Sequence, residues 1–112
     1  MDMDKQTEEQ ISRLQLLEQN MQAFTAQKQN FQAHLFEVEN AINELEVSNG
    51  QAFKIVGAIM IASDSEKLKK DLKEKREVLE LRIKNIEKQE KSVKEKAEKL
   101  QDEVVKKLKP AE

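Results

Sequence analysis

Ala52-Phe53-Lys54-Ile55-Val56-Gly57-Ala58-Ile59-Met60-Ile61-Ala62 reads unlike the rest of the chain. β-Branched residues concentrate here, in two five-residue runs on either side of Gly57. Gly57-Ala58 suits the Gly-X loop of a type II′ turn, so the stretch predicts a β-hairpin over about residues 52–62. A lone two-stranded hairpin is marginal in water, and its outer edges offer unpaired N–H and C=O groups. Phe53, Ile55, Ile59 and Ile61 are expected to form one apolar face with nothing in the chain to cover it. With Val56 and the turn residue Gly57 they make the candidate oligomerisation hairpin. Several chains pairing such hairpins edge to edge into a shared sheet or barrel would satisfy both the edges and the face. An obligate oligomer is the expectation.

On the N-terminal side the apolar residues keep a 3.5-residue period. Leu14, Met21, Lys28, Leu35 and Ile42 fall at heptad position a, and Leu17, Phe24, Phe31, Val38 and Leu45 at d. Nine of these ten positions are apolar, the exception being Lys28, which is the pattern of a helix burying a narrow seam against another helix. No Gly or Pro interrupts residues 5–48, and Ser48-Asn49-Gly50 supplies a stop signal. A helix of about 40 residues would be roughly 60 Å long.

On the C-terminal side Leu72, Leu79, Ile86, Val93 and Leu100 take position d, with Arg76, Ile83, Glu90, Ala97 and Val104 at a. Ser63-Asp64-Ser65-Glu66 matches a capping box with Ser63 as the cap, and Pro110 lies past the expected end of the helix. Opposite charges at i,i+4, such as Glu66/Lys70 and Asp71/Lys75, read as a solvated face. The expected plan is therefore mainly α: helix 1 over about 5–47, the hairpin, and helix 2 over about 64–108, in a single domain of residues 1–112. The helices are expected to fold back as an antiparallel coiled coil.

A register centred on Gly57 pairs Ile42 with Leu72, Leu35 with Leu79, Phe31 with Ile83, Met21 with Val93, and Leu14 with Leu100. Registers one heptad away would centre inside the presumed strands. The same register puts Glu90 opposite Phe24 and one layer from Lys28, so the two polar seam residues become diagonal neighbours able to fix the alignment.

Apolar residues off the seam form two groups. Phe36, Val47, Leu68, Val78 and Leu81 lie towards the hairpin and either pack against neighbouring chains or broaden the local core. Ile11, Leu16, Val105 and Leu108 lie near the termini with Leu14, Leu17, Leu100 and Val104, forming an apolar tip. Such a patch on a highly charged chain is either an interaction site or a plain closure of the coil.

Composition narrows the function classes. The chain has 112 residues, 38% charged and 4% aromatic, with two glycines, one proline and no cysteine. Disulfides and thiolate chemistry are thereby excluded, and a reducing, cytoplasmic setting is expected. The longest apolar run, Ile55 to Ala62, has eight residues, against the ~20 of a membrane helix. Met1-Asp2-Met3-Asp4 is acidic and lacks the apolar region of a secretory signal. Residues 1–50 carry three basic and nine acidic side chains and residues 51–112 carry seventeen and thirteen, yet Lys and Glu alternate along 66–109. No single-sign basic stripe is available for phosphates, so neither nucleic acid nor membrane is an expected partner. His34 is the sole histidine and flanks the seam at position g. The carboxylates lie on exposed faces, and no Gly-rich phosphate loop or metal-spaced ligand set occurs. No catalytic residue, metal site or cofactor is expected, and no enzyme activity.

Several strings resemble the β-type subunit of prefoldin, the co-chaperone of archaea and eukaryotes. Phe53-Lys54-Ile55-Val56-Gly57 is similar to that family's Tyr-Lys-x-x-Gly strand and turn, followed by Ile59-Met60-Ile61. Leu79-Glu80-Leu81-Arg82-Ile83 running into Ile86-Glu87-Lys88-Gln89-Glu90 resembles its second helix. Gln27-Lys28-Gln29, then Glu37, and Ile42-Asn43-Glu44-Leu45 fit its first. The likeness spans roughly residues 10–108; Phe53 stands where Tyr is common, and the start is acidic and Met-containing. The resemblance implies two α-type and four β-type subunits in a hexamer, with a double β-barrel body and six coiled-coil tentacles. It further implies that Ile11, Leu14, Leu16, Leu17, Leu100, Val104, Val105 and Leu108 bind unfolded client proteins without ATP. Clients would pass to a group II chaperonin. Read from the residues alone, the alternative is a structural coiled-coil protein that builds a filament or scaffold through the same hairpin edges.

Overall fold

The computed structural model describes residues 4–47 and 51–108. Its elements run α1 (Lys5–Val47), β1 (Ala52–Val56), β2 (Ile59–Ser63) and α2 (Ser65–Leu108). This is the helix–hairpin–helix plan expected from the heptads and the β-branched centre. The stop signal Ser48-Asn49-Gly50 and Pro110 lie outside the described residues.

Both helices start on an aspartate. The Thr7 N–H donates to Asp4 Oδ1 at 2.6 Å, and the Glu8 N–H to the Asp4 carbonyl at 3.1 Å. The Glu66 N–H donates to Asp64 Oδ1 at 2.9 Å, and the Leu68 N–H to the Asp64 carbonyl at 2.9 Å. These bonds satisfy N–H groups that the first helical turn leaves without partners. The expected cap, Ser63, is corrected to Asp64. Ser63 is the last residue of β2 and pairs with Ala52, so its backbone is committed to the hairpin and the cap falls one residue later. Lys106 and Lys107 in the last turn of α2 complement its dipole.

The chain packs as two compact units. One holds residues 29–84: the second part of α1, the hairpin and the first part of α2. Its core is Val38, Ile42 and Leu79, with Phe31, Leu35 and Leu72 packed against it, the residues that the Gly57-centred register brings together. The Arg82 guanidinium lies 5.7 Å from the centroid of the Phe31 ring, a cation–π contact that supports the same alignment. Glu46 and Lys73 approach to 4.0 Å.

The hairpin follows from its turn. β1 and β2 pair antiparallel as Phe53↔Ala62, Lys54↔Ile61, Ile55↔Met60 and Val56↔Ile59, leaving Gly57-Ala58 as a two-residue loop. Gly57 has φ +61° and no other described residue has positive φ, the sign pattern of a type II′ turn. Directly paired residues share a face, which corrects the expected single apolar face. Phe53 and Ile55 share theirs with Met60 and Ala62, whereas Ile59 and Ile61 lie on the other with Val56 and Lys54. An even-numbered loop joins odd residues of β1 to even residues of β2, so the two pairs expected together separate. Both faces of the sheet are apolar.

The other unit, residues 4–28 and 85–108 as described, joins the first part of α1 to the last part of α2. Ile86, Leu100 and Val104 are buried, and Leu14, Leu17, Met21 and Phe24 are half-buried. The seam runs one heptad beyond the apolar pattern, through polar residues. Thr7 is buried, and Gln10 Nε2 donates to Glu103 Oε2 at 3.2 Å while its Oε1 accepts from Lys107 Nζ at 3.0 Å.

Candidate functional site

The hairpin unit exposes its strands. Phe53, Ile55, Val56, Ile59 and Ile61 retain between 48% and 69% of their accessible surface. Met60, absent from the expected site, retains 65% and stands opposite Ile55. The sheet holds two strands, so each strand has an edge without a strand partner among the described residues. An added Cβ at Gly57 meets nothing within 4 Å; the glycine serves the positive φ rather than a close approach. Phe36, Val47, Val78 and Leu81 in the same unit are exposed as well, whereas Leu68 is half-buried. The unit thus combines a small helical core with an apolar exterior around its strands. A surface of that kind is built to be covered.

The terminal coil, the unit of residues 4–28 and 85–108, sorts its apolar residues by heptad position. Leu100 and Val104 are buried in the seam, and Ile11, Leu14 and Leu17 are half-buried. Leu16, Val105 and Leu108 are exposed. An open cavity of about 560 Å³ lies beside Leu16, Leu17 and Leu100. The polar layer at Thr7 and Gln10 went unread in the sequence, although counting one heptad back from Leu14 and Leu17 lands on both.

Within the same unit a polar cluster interrupts the seam. Lys28 Nζ lies 2.8 Å from Glu90 Oε1, and the Thr25 hydroxyl donates to Glu90 Oε2 at 3.2 Å. Glu90 is 9% exposed, and its Oε1 faces the Lys28 ammonium. The neighbouring carboxylate raises the Lys28 pKa above the ordinary lysine value. At the helix start, the Thr7 hydroxyl and backbone N–H hold the Asp4 carboxyl below the usual range. His34 is exposed, with Nδ1 3.9 Å from Glu37 Oε2. None of these groups converges with others on a cleft where a substrate atom would sit. Among the described residues, no helix is long and apolar enough to cross a membrane.

Known proteins share this arrangement. Residues 8–111 match a family model described as prefoldin subunit. The chain is 38% identical over 101 residues to prefoldin subunit beta of Methanothrix thermoacetophila, covering 88% of this chain and 84% of the relative. It is 33% identical over 107 residues to prefoldin subunit beta of Pyrococcus abyssi, covering 94% and 92%. The crystal structure of the prefoldin beta subunit from Thermococcus strain KS-1 superposes with a TM-score of 0.91 at 30% identity, covering 98% of each chain. The beta2 subunit from the same strain shares the fold, with a TM-score of 0.72 at 18% identity over 80% of this chain and 97% of that one. Against these relatives the filament or scaffold reading is not favoured. A hairpin between long helices, and a sequence alike over nearly its whole length, lead to one conclusion: the chain belongs to the prefoldin subunit family.

Proposed function

We propose that this β-type prefoldin chaperone subunit assembles through its hairpin with α-type subunits, two α to four β, around a β-barrel body. Its terminal coil then holds unfolded polypeptides without ATP and passes them to a group II chaperonin in the cytoplasm. The chain itself performs no covalent chemistry and takes no cofactor. The observation that carries this reading is the two-faced hairpin. A two-stranded sheet with Phe53, Ile55, Ile59, Met60 and Ile61 all exposed does not pay for its own ordering in water, so other subunits are the economical cover. Assembly also answers the weakness of any one coil. Burying one leucine-sized side chain is worth about 1.5–3 kcal/mol, too little to retain a client. Several coils on one body act through effective concentration and hold it together.

The reading is tested with the chain co-assembled with an α-type subunit, scored by native mass and by suppression of aggregation of a chemically unfolded client. Removing residues 1–17 and 100–112 is expected to leave the assembly intact and abolish protection. A truncated assembly that still protects clients overturns the assignment of holding to the terminal coil.

A further inference from the structure

The charges around the terminal coil's cavity are not those of the chain as a whole. Its apolar floor is Leu17 and Leu100, with Leu16 forming a wall at 56% exposure. Its rim carries Arg13, Lys96 and Lys99 against a single carboxylate, Glu103. The Gln10 side-chain amide donates to that carboxylate at 3.2 Å. Three cations thus converge on an apolar groove in a protein whose net charge is −2. The cause is heptad geometry: Arg13 and Lys96 stand at g, Leu16 and Lys99 at c, and Leu17 and Leu100 at d, so one flank of both helices gathers them. A second hollow of about 240 Å³ adjoins at Arg13 and is lined by Gln6, Glu9 and Gln10. Its amides and carboxylate suit the N–H and C=O groups of an extended backbone rather than another apolar side chain.

We infer that this groove gives client holding a chemical preference: it takes an extended segment whose leucine-like side chain is flanked by carboxylates. The apolar side chain covers Leu16, Leu17 and Leu100, the flanking carboxylates face Arg13, Lys96 and Lys99, and the backbone continues over Gln6 and Gln10. Charge complementarity selects the occupant. A lysine-flanked segment with the same apolar residue would meet three like charges. The inference rests on the holding reading above and adds a selectivity that holding alone does not require.

Two fluorescent peptides of identical length and leucine content test it, one with Glu and one with Lys on either side of each leucine. Binding to the full chain in its assembled form is followed by anisotropy at low salt. The Glu peptide is expected to bind about fivefold more tightly, as two or three exposed charge pairs would provide. The preference should fade towards 1 M salt, where the screening length falls to about 3 Å. Lys96→Glu/Lys99→Glu should reverse the preference, and Lys96→Gln/Lys99→Gln should remove it while leaving helicity unchanged. Leu16→Ala should weaken both peptides equally. Equal binding of the two peptides by the wild type, or a preference that survives Lys96→Glu/Lys99→Glu, overturns the inference. If client aggregation is still suppressed in that preparation, the selectivity fails and the holding reading stands. If neither peptide binds and clients are unprotected, both fail.

Discussion

The ammonium of Lys28 and the carboxylate of Glu90 meet at 2.8 Å inside a heptad seam. Along α1 the seam is flanked by Phe24 and Phe31, and along α2 by Ile86 and Val93. A charged pair in such a place costs desolvation that mutual attraction only partly returns, while an unpaired partner is worse than either. Lys28→Met is therefore expected to lower the thermal midpoint, because it leaves the Glu90 carboxylate with Thr25 alone. Lys28→Met/Glu90→Leu should recover that loss yet align its helices less uniquely. Circular dichroism melts give the first comparison, and disulfide trapping of Leu14→Cys/Leu100→Cys against neighbouring pairs gives the second.

The same pair sets a pH dependence. Pairing raises the Lys28 pKa, so its contribution is complete below the ordinary lysine value and is lost as pH rises through the higher folded value. The melting midpoint of the wild type should therefore fall in that alkaline window by more than that of Lys28→Met. Parallel falls in the two proteins would show that the pair contributes nothing to stability.

The reassigned cap separates two adjacent residues. Asp64→Ala removes the acceptor of the Glu66 N–H and should cost about 1 kcal/mol of stability, the usual worth of such a cap. Ser63→Ala should cost distinctly less, since Ser63 contributes backbone pairing that alanine keeps. Denaturant melts of the two variants decide between them.

Gly57→Ala should weaken the hairpin by about 1–2 kcal/mol, the penalty for a side chain at positive φ. Open space around the turn excludes a clash as the cause. Native mass of the co-assembled protein, measured across a dilution series, should show the variant dissociating at higher concentration than the wild type.

Ile55 and Ile59 occupy opposite faces of the sheet. Ile55→Asp and Ile59→Asp are each expected to break the assembly into smaller species if both faces are covered there. Should Ile59→Asp stay assembled while Ile55→Asp falls apart, only the face of Phe53, Ile55 and Met60 is buried between subunits. Native mass spectrometry distinguishes these results directly.

Much of the architecture is legible in the sequence because heptad spacing is a strong periodic signal. Every seam position from Leu14 to Leu45 and from Leu72 to Val104 is buried or half-buried, and the diagonal placement of Lys28 and Glu90 was readable from register alone. The misreadings came where a local rule met a neighbouring one. Alternation along a strand says nothing about which residues of its partner share a face until loop length sets the parity, so alternation alone puts Ile59 and Ile61 beside Ile55, where the pairing separates them. Ser63 has good capping chemistry, but the hairpin had already claimed its backbone. The cationic rim of Arg13, Lys96 and Lys99 was hidden for a different reason. In a helix of alternating Lys and Glu, only the juxtaposition of two helices decides which charges meet.

Lys54 is the one charged residue in either strand of the hairpin. Edge strands elsewhere are guarded by several charges, a proline or a bulge against unwanted stacking, and here one ammonium does that work alone. An orphan copy, made in excess of its companions, is thus a ready seed for disordered deposits.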